Sequence, residues 1–355
     1  MSLQNGNPMS TRTDKSSLPK RARIEDVAEK AGVSIMSVSR AMRGVEGISQ
    51  AKREEILNIA RSIGYYPNRV AVSLAASSSN LIGVSVPTLF GTVFAEIYDG
   101  MRASFEKAGF ATVIDITDYS LAHEEAWVER MISWRPAGLI LSGVDHSETT
   151  RERLYKSNIP ILEIWDHTTT PIDLCVGIEH FAAGEKMGKY LAELGYKSPA
   201  YVGVAQGKDS RADRRLAGLS KSFVAAGGAF SHIERSSQDT SFESGFLATT
   251  QLLKTITEKP DVICYLNDNM AFGGLMACEQ LGLSCPNDLG IAGYNGLNIN
   301  KVLQKRITTS VTPRRLMGEM GAQNLIAKIL GARVEPSVNL PVNIDIGQTT
   351  RMQSR

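Results

Sequence analysis

Residues 23–44, RIEDVAEKAGVSIMSVSRAMRG, hold two short helical patterns broken by Gly-Val-Ser. Ile24, Val27, Ala28 and Ala31 recur at helical spacing, which predicts a short helix with one buried stripe. Gly32 ends it, Val33 is apolar enough to plug the turn, and Ser34 suits the N-cap of a second helix whose Val38, Ala41 and Met42 face inward. The pattern is a helix-turn-helix. On its second helix Ile35, Met36, Ser37 and Arg40 fall at or near the outer face, where a recognition helix meets base edges in the major groove. Arg40 suits a guanine edge or a phosphate, whereas Ile35 and Met36 suit thymine methyl groups. Helix, glycine and helix alone fit an ordinary helical hairpin equally well, so the neighbouring residues must decide.

Those residues, 48–79, read ISQAKREEILNIARSIGYYPNRVAVSLAASSS. Ser49 suits the cap of a third helix that buries Ile56, Ile59, Ala60 and Ile63 and stops at Gly64, completing a three-helix core. Pro67 then breaks the chain, Asn68 suits another cap, and RVAVSLA spans about two turns of helix before a run of serines. So short a helix does not recover its nucleation cost in water and forms only where something holds it. The charge distribution agrees with a nucleic-acid partner. Residues 9–80 hold 12 Lys and Arg against 7 Asp and Glu, whereas the rest of the chain holds 27 against 30. Arg12, Lys15, Lys20, Arg21 and Arg23 form a basic arm suited to a phosphate backbone, or to a soluble tail.

From Leu81 onward apolar strands alternate with amphipathic helices. LIGVSVP, FATVIDI, AGLILSG and IPILEIW form one series; AYVGV, a strand near 230–234, DVICYL and GIAGYN form a second. The fold class is therefore α/β, with a helix-turn-helix headpiece before two doubly wound lobes that hold a ligand at their strand C-termini. Catalytic motifs are missing. GVAQGK, residues 203–208, mimics a phosphate loop but has three residues between its glycines where four are needed, and Asp209 follows where Ser or Thr should be. His123, His146, His167, His180 and His232 have no metal spacing and read as surface or satisfied histidines. Cys175, Cys264, Cys278 and Cys285 form no Cys-x-x-Cys pair and read as reduced structural thiols. The sequence predicts no enzyme, cofactor, metal site or membrane span, and a cytoplasmic protein.

The motifs IEDVAEKAGVSIMSVSRAM and REEILNIARSIGYYPNRVAVSLA resemble the headpiece and hinge of the lactose-repressor (LacI) family of transcriptional regulators, and the likeness continues to about Gly347. The resemblance implies a homodimer on double-stranded operator DNA, with residues 68–75 as a hinge helix. Asn68, Arg69, Ala71 and Leu74 would then touch DNA, Leu74 as the wedge that kinks a base step. It also implies a periplasmic-binding-protein-like body that takes a small-molecule effector. The expected layout is a tag-like disordered arm over 1–20, headpiece over 21–67, hinge and linker over 68–80, effector and dimerisation domain over 81–347, and tail over 348–355. Within the body, lobe 1 takes about 81–178 and 297–330, and lobe 2 about 179–296 and 331–347.

For the effector, Arg215 matches a contacting position of the family, Arg211 a looser variant of it, and Asn267 a position that hydrogen-bonds sugar hydroxyls. Asp268 beside it suits a helix cap. Val93, Phe94, Ser142 and either Glu163 or Trp165 lie at element ends of the first lobe, with Phe94 and Trp165 fitting core as well as pocket. One departure is informative: Asn295 stands where many sugar-binding members carry aspartate. Losing that carboxylate beside arginines favours an anionic ligand. LEIWDHTTTPIDLCVG and GYNGLNINKVLQKRITTSVTPRRLMGE resemble the gluconate-repressor branch, which implies gluconate or a related sugar acid controlling a carbohydrate operon. A neutral-sugar regulator is the alternative. A sugar-binding protein without DNA function is a remoter one, at odds with the basic headpiece.

Overall fold

The computed structural model describes residues 22–66, 79–236 and 239–352. It divides into two units, Met1–Ser77 and Ser78–Arg355. In the first, α1 (Ile24–Ala31), α2 (Ile35–Arg43) and α3 (Gln50–Ser62) enclose Val27, Ala28, Ala31, Val38, Ala41, Ile56 and Ala60. The expected caps form: Ser34 Oγ accepts from Ser37 N at 3.1 Å, and Ser49 Oγ from Lys52 N at 3.4 Å. Gly32 and Gly44 close α1 and α2 with φ of 63° and 69°, the left-handed backbone that glycine adopts without a steric penalty. Two cations of α3 then reach these helix ends, where backbone carbonyls lack partners. Lys52 Nζ donates to Ala31 O at 3.0 Å and Arg53 Nε to Ala41 O at 3.1 Å, fixing α3 against both helices. The predicted hinge helix, with Asn68, Arg69, Ala71 and Leu74, lies outside the described residues, as does the basic arm up to Arg21.

The second unit carries two six-stranded sheets. The first runs in the order β11-β5-β4-β3-β1-β2, with β1 at Leu81–Val86, β2 at Ala111–Ile116, β3 at Gly138–Ser142, β4 at Ile161–Asp166, β5 at Leu174–Ile178 and β11 at Ser337–Asn339. The second runs β12-β10-β9-β8-β6-β7, with β6 at Pro199–Val204, β7 at His232–Ser236, β8 at Val262–Tyr265, β9 at Gly290–Asn295, β10 at Thr308–Val311 and β12 at Asn343–Asp345. Pairing is parallel except between β10 and β12. Central strands such as β4 and β9 are buried along their whole length, as parallel strands covered on both faces must be.

The chain leaves lobe 1 after β5, which ends at Ile178, and the other two crossings do not fall at Leu297 and Leu330. The chain stays in lobe 2 through β10, which pairs with β9, and crosses at Thr312 into the helix Arg314–Ile329. It then stays in lobe 1 through β11, which pairs with β5, and returns near Leu340–Val342 before β12. The reason is chemical. β10 reads TTSV, too polar to look like a buried strand, yet Thr308 and Thr309 are fully buried with their hydroxyls bonded, at 2.7 Å to Thr350 Oγ1 and 2.6 Å to Asp268 Oδ1. Hydroxyls satisfied in this way cost little to bury.

Close helix contact sets the position of the later site. Gly184 in the helix His180–Glu193 lies against the backbone of Arg215 in the helix Ser210–Ala225, where any Cβ would overlap the Arg215 carbonyl. The contact seats Arg215 in the body of lobe 2 rather than on its surface.

Candidate functional site

In the headpiece unit the outer face of α2 carries Ile35 and Met36, 48% and 63% exposed, beside exposed Arg40. These two apolar side chains lie outside the three-helix core. Ser37 is partly occupied, its Oγ 3.0 Å from Ser34 Oγ at the cap.

The second site lies at the strand ends between the lobes. From lobe 1 come Asp145, beyond β3, and Trp165 and Asp166, closing β4; from lobe 2 come His180, Arg211, Arg214, Arg215, Tyr294 and Asn295. Asp166 is the hub. Its Oδ1 lies 2.9 Å from His180 Nε2 and 3.8 Å from Arg214 Nη1, and its Oδ2 lies 3.9 Å from Arg211 Nη1. Burial opposes its charge, but His180, Arg211 and Arg214 outweigh it and hold the carboxyl below the usual range.

Arg215 Nη1 donates to His180 Nδ1 at 3.2 Å. Because Nδ1 accepts, the imidazole proton must sit on Nε2, facing Asp166, and the ring is neutral. Burial, then the neighbouring arginines, lower the His180 pKa accordingly. The Arg215 guanidinium also stacks 4.2 Å from the Tyr294 ring centroid. Arg211 is tied to the cap residue Asp209, Nε to Oδ1 at 3.1 Å. Burial disfavours the charge on Asp209, and Arg211 and Arg215 override it, taking that carboxyl down to about 2.

Among the described residues, two buried acceptors in this cluster lack an aligned donor. The contact of Asp166 Oδ1 with His180 is close but bent away from hydrogen-bond geometry, and Asn295 Oδ1 meets no donor. Trp165, next to last in β4, and Asn295, the last residue of β9, have φ of 79° and 109°, backbone that non-glycine residues seldom adopt and that gathers at ligand sites.

Arg211 and Arg215 lie one turn apart in the helix Ser210–Ala225, and both are buried rather than standing on an exposed helix face. Phe94 and Trp165 belong to the buried core of lobe 1: their ring centroids lie 5.8 Å apart, and the Trp165 ring lies 5.4 Å from that of His180. Other candidates are taken up internally. Ser142 Oγ donates to Ser85 O at 2.8 Å. Asn267, rather than Asp268, caps its helix, accepting from Met270 N at 2.9 Å and donating to Thr240 O at 3.3 Å. Asp268 instead accepts from Leu297 N and Thr309 Oγ1, and burial lifts its pKa to about 6. Glu163 turns away to His146 and Ile172 N. Sequence reasoning missed Asp145, Asp166, His180, Arg214 and Tyr294. The signal was position: Asp166 ends a strand, His180 stands two residues past the end of another, and strand C-termini line ligand clefts in such folds.

Comparison with known proteins now gives the geometry a lineage. Residues 23–68 match bacterial regulatory proteins of the lacI family, and residues 189–350 match a periplasmic binding protein-like domain. The HTH-type transcriptional regulator GntR of Escherichia coli K12 is 32% identical over 330 residues, covering 93% of this chain and 97% of that protein. The chain belongs to the lacI family. A LacI-family transcriptional regulator from Silicibacter pomeroyi superposes with a TM-score of 0.87 at 33% identity, covering 92% of this chain and 99% of the other. The lac repressor dimer bound to operator and the anti-inducer ONPF superposes at 0.81 with 26% identity, over 94% and 100%. As a LacI-family member the chain is a DNA-binding transcriptional regulator and not an enzyme. Among its described residues no helix is long and apolar enough to cross a membrane.

Proposed function

We propose that this regulator controls a carbohydrate-utilisation operon, most simply as a homodimeric repressor, and that a small sugar acid of the gluconate class governs its DNA binding from the cleft between the lobes. The observation that carries the effector reading is the pairing of Asp166 Oδ1 and Asn295 Oδ1, acceptors without aligned donors, with a cluster of arginines. Hydroxyls of a polyhydroxy acid supply the missing donors, and a guanidinium meets its carboxylate with charge-assisted bonds. Arg215 and Arg211 are the proposed polar contacts from lobe 2, over the wall of Trp165 and Phe94. The likeness to the regulator named GntR is in keeping with this ligand class.

The dimer is supported by strand β2, an open sheet edge whose Ile114 and Ile116 are 36% and 42% exposed. An apolar edge left open invites pairing with another chain. On entering the body, Ser79 and Asn80 are tied to lobe 1: Ser79 N donates to Arg135 O at 3.2 Å and Ala111 N to Asn80 O at 2.8 Å. Effector-driven movement of the lobes would act through that attachment.

A neutral sugar is the competing reading, favoured by the balance of arginines and aspartates around the cleft. Calorimetry of the full chain with D-gluconate and with D-glucitol, which carries an alcohol in place of the acid, separates the two. Gluconate should bind more tightly. Asn295→Asp should weaken gluconate more than glucitol, because it sets one carboxylate against another in a buried site. The gap should narrow as pH falls toward about 4, where an ordinary aspartate takes up its proton. Equal affinity of the wild type for both ligands would sink the sugar-acid reading and leave the regulator assignment standing.

A further inference from the structure

The three arginines of the turn 211–215 are unequal. Arg211 and Arg215 are 7% and 6% exposed, held by Asp209, whose side chain is 16% exposed, and by His180, whose side chain is 1% exposed. Arg214 keeps 36% of its side chain exposed, and its main partner, Asp145 of the opposite lobe, keeps 51%. Arg214 Nη2 and Ser210 Oγ both donate to the same oxygen, Asp145 Oδ2, the serine at 2.7 Å. This bridge spans the cleft at its mouth.

Counting charges decides what the bridge does. Arg211, Arg214 and Arg215 face Asp145, Asp166 and Asp209, and His180 is neutral, so the cluster carries no net charge. An entering carboxylate would leave an excess negative charge in a largely buried site unless one resident carboxylate withdrew. Asp166 is 2% exposed and ringed by His180 and the arginines, and Asp209 caps the helix that carries them. Neither can leave without an unpaired buried charge. Asp145 can turn into water. Its backbone need not follow, because the next residue, His146, is fixed with its side chain 1% exposed, Nδ1 at 2.7 Å from Glu124 Oε1 and Nε2 at 3.3 Å from Glu163 Oε1.

We infer that Arg214 is an effector-binding residue that exchanges Asp145 for the carboxylate of the ligand, so that the resting cleft is latched by an internal mimic of its own effector. The inference rests on the sugar-acid reading and adds to it a contact that neither the helix pattern nor the family resemblance singles out. Arg215 and Arg211 keep their polar contacts at the hydroxyl end of the ligand, where Arg211 is already tied to Asp209 and Arg215 to His180, while Arg214 takes the acid end.

Titration calorimetry at low ionic strength tests it on the wild type, Asp145→Asn and Arg214→Gln, each with D-gluconate and D-glucitol. Removing the competing carboxylate should tighten gluconate about two- to five-fold, the worth of a half-exposed ion pair, and leave glucitol unchanged. Arg214→Gln should weaken gluconate about ten-fold or more with glucitol nearly unmoved. Unchanged or weaker gluconate binding by Asp145→Asn, or parallel shifts for both ligands, overturns the exchange and makes the bridge a plain structural tie. A wild type that prefers gluconate while Asp145→Asn is silent sinks only the exchange; a wild type that binds no sugar acid sinks the effector reading and the exchange together.

Discussion

Arg214 and Arg215 are neighbours in the chain and opposites in their surroundings. Arg215 stacks on Tyr294 and donates to His180, whereas Arg214 stands at the cleft mouth with an acid partner half in water. A buried guanidinium on an aromatic face is held by interactions worth up to about 2 kcal/mol, and a half-exposed ion pair by about 1 kcal/mol or less. The residue most easily freed for a ligand is therefore the one the sequence pattern passed over. The same reasoning applies at Arg40, whose exposed side chain shares its face with two apolar residues unable to hydrogen-bond a base. Polar base readout by α2 should rest mainly on it. Arg40→Ala should cost about 1–3 kcal/mol on a specific operator and little on random duplex, read by fluorescence anisotropy. Equal losses on both would reduce Arg40 to a phosphate contact.

At the scale of elements, the loop between β3 and the helix Glu148–Ser157 is governed by His146. Burial disfavours its charge, but the hydrogen bonds and proximity of Glu124 and Glu163 prevail and raise its pKa to about 9. Because the folded value exceeds the ordinary one near 6.5, the contribution to stability is fully present below about pH 6.5, declines as pH rises, and is gone above about pH 9. It amounts to something on the order of 3 kcal/mol. Urea denaturation of the wild type and His146→Gln should show a stability gap at pH 6 that closes by pH 9.5; a gap independent of pH would mean that the histidine is not charged. Elements also show what was legible. The headpiece could be read because its caps, glycine stops and helical stripe are local features. β10 could not, because a TTSV strand declares itself only through hydroxyl partners far along the chain, Thr308 with Thr350 and Thr309 with Asp268. The site was half legible for the same reason. Arg211, Arg214 and Arg215 share about one helix turn, whereas Asp145 meets Arg214, and Asp166 meets Arg211 and Arg214, only after the chain has crossed between lobes.

At the scale of the whole molecule, a DNA-reading headpiece joins a two-lobed body whose lobes are bridged by ion pairs. A ligand alters DNA binding only to the extent that it binds one arrangement of the lobes better than the other. An acid that replaces the Asp145 bridge has such a differential interaction. A neutral sugar that leaves the bridge in place has less. The most direct test takes the operator selected by the full-length protein from random duplexes and follows its affinity by anisotropy, without ligand and with saturating D-gluconate or D-glucitol. Gluconate should shift operator affinity about ten-fold or more, within the usual range of allosteric coupling, while glucitol leaves it within about two-fold. Operator affinity unmoved by gluconate at concentrations that calorimetry shows to be saturating would contradict the claim that a sugar acid in this cleft governs the headpiece.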